Sequence, residues 1–311
     1  MYAIGIDVGG TNLKAGLVNE AGQILSVSRT PLHFTTAENF AQVLADLSRQ
    51  VMGDLPPEAI DHVGIGIPGA VQGGNILFTA NIPMRDVPLK TLFQKHLKLP
   101  VTLANDADCA AAGEYLFGAG KGTRDFIIVT LGTGVGGGMI LGGRLHTGKC
   151  CAGEVGHMVI DLDGEPCSCG RAGCWESYAS ATGLIRMGRQ AAAAHPDSLL
   201  SQLARQKAGL DGKSIFTAAE QEDLAAREVV TRFVNYLAAG VTNLVNILQP
   251  DVVAIGGGVA GAPEHLLLTP LRNYVHEYCY GRHVGHYPKV VNAQMGNDAG
   301  IVGAALIHTL L

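Results

Sequence analysis

Charge is scarce in this sequence. Asp, Glu, Lys and Arg make up 16% of the chain, against roughly 25% in an ordinary soluble domain. The deficit points to a large buried fraction or to surface covered in an oligomer, so a homodimer or homotetramer is expected. The net charge of −5 offers no basic field. Neither nucleic acid nor a membrane is therefore expected as a partner. No apolar run approaches the roughly 20 residues that a bilayer span needs. The opening residues, MYAIGIDVGGTN, lack the basic and long apolar segments of a secretory signal. Seven cysteines is an odd number, a poor basis for a closed disulfide framework. A cytoplasmic location is expected.

Glycine is abundant instead, with 42 residues, and much of it falls in tight clusters. Residues 2–6, 13–18 and 23–29 read as three strands of an antiparallel meander, with Asp7-Val8-Gly9-Gly10-Thr11-Asn12 as its first turn. Residues 126–131, 135–141 and 144–146 repeat the pattern around Gly132-Thr133-Gly134. Ile4 to Gly10 aligns with Ile127 to Thr133 without a gap and sets Gly9 on Gly132, so one meander has been duplicated. Turns without side chains let backbone N–H groups approach an anion. A plain hairpin turn would look the same.

Between the two copies, residues 36–52 carry apolar side chains at helical spacing, and 63–67 and 100–104 read as strands. Residues 81–88 read as loop. Asn105-Asp106 ends the last of these strands and opens an Ala-rich helix over 107–117. Ligands gather at such strand ends in open α/β sheets, but Asp and Asn are also favoured helix caps. Further on, 179–203 is mostly helical. Thr217 to Glu220 reads as a capping box opening a long helix to about 248, which Pro250 stops. A strand over 251–255, a helix over 264–280, a strand over 289–293 and a final helix over 298–310 capped by Asp298 complete the chain.

Residues 153–176 concentrate chemistry. His157, Cys167, Cys169 and Cys174 supply one imidazole and three thiols, a complete tetrahedral set for structural Zn²⁺. Glu154 and Glu176 flank it. Two dinucleotide-type patterns also occur, at Gly132-x-Gly134-x-x-Gly137 and Gly256-x-Gly258-x-x-Gly261. The first continues into a strand rather than a helix. The second has no acidic residue at the expected distance, so an oxidoreductase is disfavoured.

The Asp7–Thr11 turn, Asn105-Asp106, residues 131–138, Gly153-Glu154-x-Gly156-His157 with Cys-x-Cys-Gly-x-x-Gly-Cys-x-Glu, and residues 256–259 together resemble the ROK family of repressors and sugar kinases, within the actin-like ATPase superfamily. The likeness covers residues 4–307. It implies an α/β fold of two duplicated actin-like (ribonuclease H-like) ATPase domains with a nucleotide cleft between them. The expected divisions are 1–118 with the catalytic aspartate, 119–296 with the zinc-stabilised sugar loop, and a C-terminal helix over 297–311 packing back on the first domain. The chain starts on the first strand, as the kinases do and the DNA-binding repressors do not. The resemblance therefore implies ATP-dependent phosphorylation of a hexose or N-acetylhexosamine, at O6. A sugar-sensing regulator without turnover is the alternative.

By the same resemblance Asp106 is the general base, and Asn81, Asn105, Asp106, Glu154, His157 and Glu176 bind the sugar. Asp7, Gly9, Gly10, Thr11, Asn12, Gly132, Thr133, Gly134, Gly256, Gly257 and Gly258 hold ATP, with Mg²⁺ near Asp7. Two places depart from the family. Residues 81–86 lack the tryptophan that glucose-phosphorylating members often carry, and Lys149-Cys150-Cys151 stands where small residues are usual. Neither the sugar nor the donor, ATP against polyphosphate, is fixed by the sequence.

Overall fold

The computed structural model describes residues 2–79 and 82–311, so the expected sugar ligand Asn81 lies outside the described residues. Contacts divide the chain into two compact units. Met1–Ile128, Gly138–Gly153 and Gln294–Leu311 form the first; Val129–Gly137 and Glu154–Ala293 form the second.

The first unit opens with the meander β1 (Tyr2–Val8), β2 (Asn12–Asn19) and β3 (Ile24–Pro31), antiparallel throughout. Helix α1 (Ala37–Met52) follows, with the Thr36 hydroxyl accepting from the Asn39 N–H. Its Phe40, Leu44, Leu47 and Val51 recur three and four apart and are buried in one cluster with Ile4, Ile6, Ile65 and Val63. Strand β4 (Ile60–Ile67) runs parallel to β1. A small antiparallel sheet comes next: β5 (Gly69–Gln72), β6 (Asn75–Thr79) and β7 (Arg85–Val87). Helix α2 (Leu89–His96), β8 (Val101–Asn105) parallel to β4, and α3 (Asp106–Phe117) complete this half.

The repeat is β9 (Phe126–Leu131), β10 (Val135–Leu141) and β11 (Arg144–Leu145). Then come α4 (Glu176–Ala179), α5 (Ala181–Ala194), α6 (Leu199–Ala204), α7 (Gly212–Glu220) and α8 (Leu224–Leu248). Strand β12 (Val252–Gly256), α9 (Leu268–Tyr278), β13 (Lys289–Asn292) parallel to β12, and α10 (Ala299–Leu306) follow. The five-stranded sheets have the orders β3-β2-β1-β4-β8 and β11-β10-β9-β12-β13. Both orders set a three-strand meander beside two later strands, so the duplication seen in the sequence is a duplication of topology.

Glycines seat α10 in the first unit. A Cβ on Gly5 would stand 1.8 Å from the Ile301 carbonyl oxygen, and one on Gly64 1.7 Å from that of Ala304. On α3, a Cβ at Gly113 would stand 2.3 Å from the Ala299 oxygen. The helix backbone thus lies directly on β1, β4 and α3, closer than any side chain permits. Where the chain re-enters this unit it is pinned by fully buried Glu114. One carboxylate oxygen accepts from the Gln294 and Met295 N–H groups at 2.8 and 2.7 Å, the other from Ala119 N–H at 2.8 Å.

His62, at the start of β4, stacks on His308 with ring centroids 4.1 Å apart. Burial, then the neighbouring His308, holds its imidazole down at about 4 from 6.5. The unfolded chain therefore binds the extra proton between those values, and the folded state loses stability as pH falls from about 6.5 to 4. Thermal midpoints are expected to drop through that window, and His62→Phe to flatten the drop. An unchanged pH slope in the variant refutes it.

Three local expectations need correction. Thr217 to Glu220 is not a cap: it is the last turn of α7, whose capping box is Asp211 and Ser214. The long helix is two, because Glu222 takes a positive φ of 67° and Asp223 caps α8 anew. Asp298 precedes α10 without a side-chain capping bond. The β5–β7 sheet and α2 were not anticipated, since prolines 83 and 88 read as loop. A two-residue Gly73-Gly74 hairpin turn, with φ 57° and 85°, was the available signal.

Candidate functional site

In the first unit, chemistry gathers at the ends of β1 and β8. The turn after β1 is closed by Gly9 N–H donating to the Asn12 carbonyl at 2.9 Å, with Gly10, Thr11 and Asn12 exposed. The Asn12 amide donates to the Thr11 hydroxyl at 2.9 Å. Burial pushes the Asp7 carboxyl up, and the Lys14 ammonium opposes it. A bound cation would reverse that balance.

At β8 the cap is Asn105. Its side-chain oxygen accepts from Ala107 N–H at 2.8 Å and its amide donates to the Gly69 carbonyl at 3.2 Å. Asp106 is the first helical residue, half-buried, with one oxygen accepting from the same N–H at 3.0 Å. Of the two roles open for Asp106, the cap has gone to its neighbour. The Cys109 thiol is pushed well up, first by burial and then by the Asp108, Asp106 and Asp7 carboxylates. Asp7 and Asp106 thus act on one buried atom, and the fold has brought together two acids nearly a hundred residues apart.

In the second unit, the Gly132-Thr133-Gly134 turn is tied down on several sides. Gly132 N–H donates to Gly134 O at 3.0 Å, Ala181 N–H to Gly132 O at 2.8 Å, and the Thr182 hydroxyl to Thr133 O at 2.8 Å. Val135 N–H donates to a Glu176 carboxylate oxygen at 3.0 Å. A Cβ on Gly134 would stand 2.2 Å from that carboxylate, so a side chain there would push Glu176 off the Val135 N–H. Glu176, expected on the sugar, thus commits one oxygen to the glycine turn.

The turn opens on a cavity of about 620 Å³. Gly132, Thr133 and Gly258 line it, as do Val259, Ala262, Pro263 and buried Phe216. Gly257, at φ 83°, instead packs on Leu131, whose oxygen a Cβ would meet at 2.4 Å. Gly134, Gly256 and Gly257 thus shape the site from behind its wall. Sequence reasoning missed Lys213, Thr217 and Glu220, which α7 presents to the cavity. Their spacing of four and three residues marks one helix face, but the capping-box reading hid it. An apolar cavity with few convergent polar groups beside a glycine turn suits a planar base joined to phosphates.

The four soft donors also converge. The ligand atoms of His157, Cys167, Cys169 and Cys174 all lie within 4.8 Å of one another. Cys167 Sγ is 3.6 Å from His157 Nδ1, and Cys169 Sγ is 3.6 Å from Cys174 Sγ. Burial first, then hydrogen bonds to Cys169 and Cys167, pushes the Cys174 thiol up to about 12. Desolvation pushes Cys167 upward too, but hydrogen bonds from Cys169, Cys174 and His157 outweigh it and bring that thiol down to about 7. Glu154, just before this loop, is exposed.

A family model described as the ROK family matches residues 3–309. The chain is 39% identical over 308 residues to a glucokinase of Streptomyces coelicolor, covering 97% of this chain and 96% of that one. It is 30% identical to the xylose repressor of Bacillus subtilis, covering 98% of this chain but 76% of the repressor. Among solved structures, a ROK family glucokinase from Streptomyces griseus in complex with glucose and AMPPNP is 38% identical, with TM-score 0.81 and 98% of each chain covered. The family model and these relatives match along nearly the whole length, and the chain belongs to the ROK family.

Proposed function

We propose that this protein is an ATP-dependent hexose kinase. The observation that carries the reading is the Gly132-Thr133 turn opening on a nucleotide-sized cavity, in a chain 39% identical to a glucokinase along nearly its full length. Asp106 takes the proton of the sugar hydroxyl as that oxygen attacks the γ-phosphorus; the bond to the bridging oxygen breaks and ADP leaves. Such transfer is mostly positioning and charge stabilisation. Gly9 and Gly132 close their turns, the amides of Gly10, Thr11, Thr133 and Gly134 receive phosphate oxygens, α7 and residues 258–263 hold the base and ribose, and Asp7 would hold Mg²⁺. Glu154, His157, Asn105 and Asn81 contact sugar hydroxyls. A homo-oligomer fits the low charge content.

The Cys/His cluster fits Zn²⁺. Its donors are three thiols and an imidazole, and two of its separations, both 3.6 Å, come near the edge of about 3.8 Å that a tetrahedral site with 2.3 Å bonds requires. Bound there, zinc supplies rigidity to the loop and no chemistry. His157 turns Nδ1 to the cluster, which leaves Nε2 for the sugar.

The test is a coupled ADP-release assay over glucose, mannose, fructose, allose, N-acetylglucosamine and N-acetylmannosamine. Sugar-dependent release with at least one is expected, with glucose the first candidate. Sugar binding without turnover on the whole panel overturns the reading in favour of a regulator.

Glu176 divides two roles kinetically. Glu176→Ala leaves Val135 N–H without its carboxylate, a bond of the charge-assisted kind worth roughly 1.5–3 kcal/mol. Nucleotide KM is expected to rise about tenfold, and Glu176→Gln to recover part of it. A rise confined to the sugar KM contradicts the anchoring role.

A further inference from the structure

Two of the seven cysteines remain unexplained by the site. Cys109 and Cys279 are buried, and Cys167, Cys169 and Cys174 belong to the four-donor cluster. Cys150 and Cys151 are adjacent in sequence, and their Sγ atoms lie 3.2 Å apart. Cys151 is exposed, whereas Cys150 is half-buried against a cavity of about 350 Å³. We propose that Cys150 and Cys151 are a dithiol modification site, closed by small-molecule disulfides into a reversible vicinal disulfide that weakens sugar binding.

The geometry sets the order of events. The exposed Cys151 thiolate attacks one sulfur of the reagent disulfide, giving a mixed disulfide and releasing one thiolate. Cys150, already in contact, then attacks Cys151 Sγ and expels the second. The reagent's S–S bond is broken and one protein S–S bond is made. Two electrons pass to the reagent, and the two thiol protons end on its two released thiols. Adjacent Cα atoms stand about 3.8 Å apart, below the usual range for bridged cysteines, so the ring is readily reduced again.

The effect on binding follows from the turn that carries the pair. Ala152 N–H donates to the Thr147 carbonyl at 3.2 Å, and the Gln72 amide holds the Lys149 carbonyl at 2.9 Å. Gly148 and Gly153 bracket the turn with φ of 58° and 95°. Closing the ring must reshape the peptide between Cys150 and Cys151, and Glu154 begins three residues on. The link to sugar rests on Glu154 as a sugar ligand; the disulfide itself does not.

Full-length protein is treated with oxidised glutathione, mapped by mass spectrometry, and titrated with sugar by calorimetry. A product lacking two hydrogens at 150–151 is expected, with sugar Kd raised about tenfold and restored by dithiothreitol. Cys150→Ser should trap glutathione on Cys151 and Cys151→Ser should resist it, both with untreated sugar affinity intact. Glutathione left on wild-type Cys151, oxidation mapping to the four-donor cluster, or a closed ring with unchanged Kd overturns the proposal. Absence of turnover in the reduced protein overturns the kinase reading alone, because mass and calorimetry still decide the dithiol.

Discussion

Asp106→Asn is expected to lower kcat for sugar-dependent ADP release by about 10²–10⁴-fold, the usual contribution of a general base. That is about 3–5 kcal/mol of transition-state stabilisation. Sugar and nucleotide affinities should change little, since the amide keeps the shape and one acceptor oxygen. The fold should survive, because the cap of α3 belongs to Asn105 and α3 is held from its other side by α10. Asn105→Ala is the control: it removes a cap worth about 1 kcal/mol and should lower the thermal midpoint, which Asp106→Asn should not. Near-normal kcat in Asp106→Asn contradicts the assignment of the base.

Stripping the Cys/His cluster of metal is the second large effect. One zinc per chain is expected by elemental analysis, with Cys169→Ser losing it. Structural zinc in small peptides is worth roughly 10–16 kcal/mol; here the effect stays local, because Trp175 anchors the end of the loop. Its indole N–H donates to the Tyr236 carbonyl at 2.8 Å, and a Cβ on Gly240 would stand 2.1 Å from the ring. The metal-free protein should keep the cold, buried emission of its single tryptophan while losing sugar binding, measured by calorimetry. Nucleotide affinity should fall less, through Glu176, two residues beyond Cys174. A verified zinc-free protein with unchanged sugar affinity refutes the role.

Much of this was legible because it is local. The short apolar runs of β1, β2, β9 and β10, the turns at 9–12 and 132–134, and the gapless match of Ile4 to Gly10 with Ile127 to Thr133 are short-range signals, and both sheets carry the topology they implied. The Cys/His set was legible because three of its members lie within eight residues. What failed also failed locally. Thr217 to Glu220 satisfies the spacing of a capping box, yet Asp211 and Ser214, a few residues earlier, make the real one. Nothing in the pattern says which of two competent caps opens the helix.

The sequence alone determined the family, the duplicated meander, the four soft donors and the candidate base. Tertiary structure decided what those residues are committed to. Glu176 spends one oxygen on the Val135 N–H, Asn105 spends its amide on Ala107 and Gly69, and α7 turns Lys213, Thr217 and Glu220 toward the cavity. The physical reason is that a side chain's type sets which bonds it can make, but only packing of distant segments sets which partner comes within 3 Å. Gly134 illustrates both halves. Its place in a glycine cluster was plain from the sequence, but the space it leaves is filled by a carboxylate forty-two residues away, 2.2 Å from where its Cβ would be.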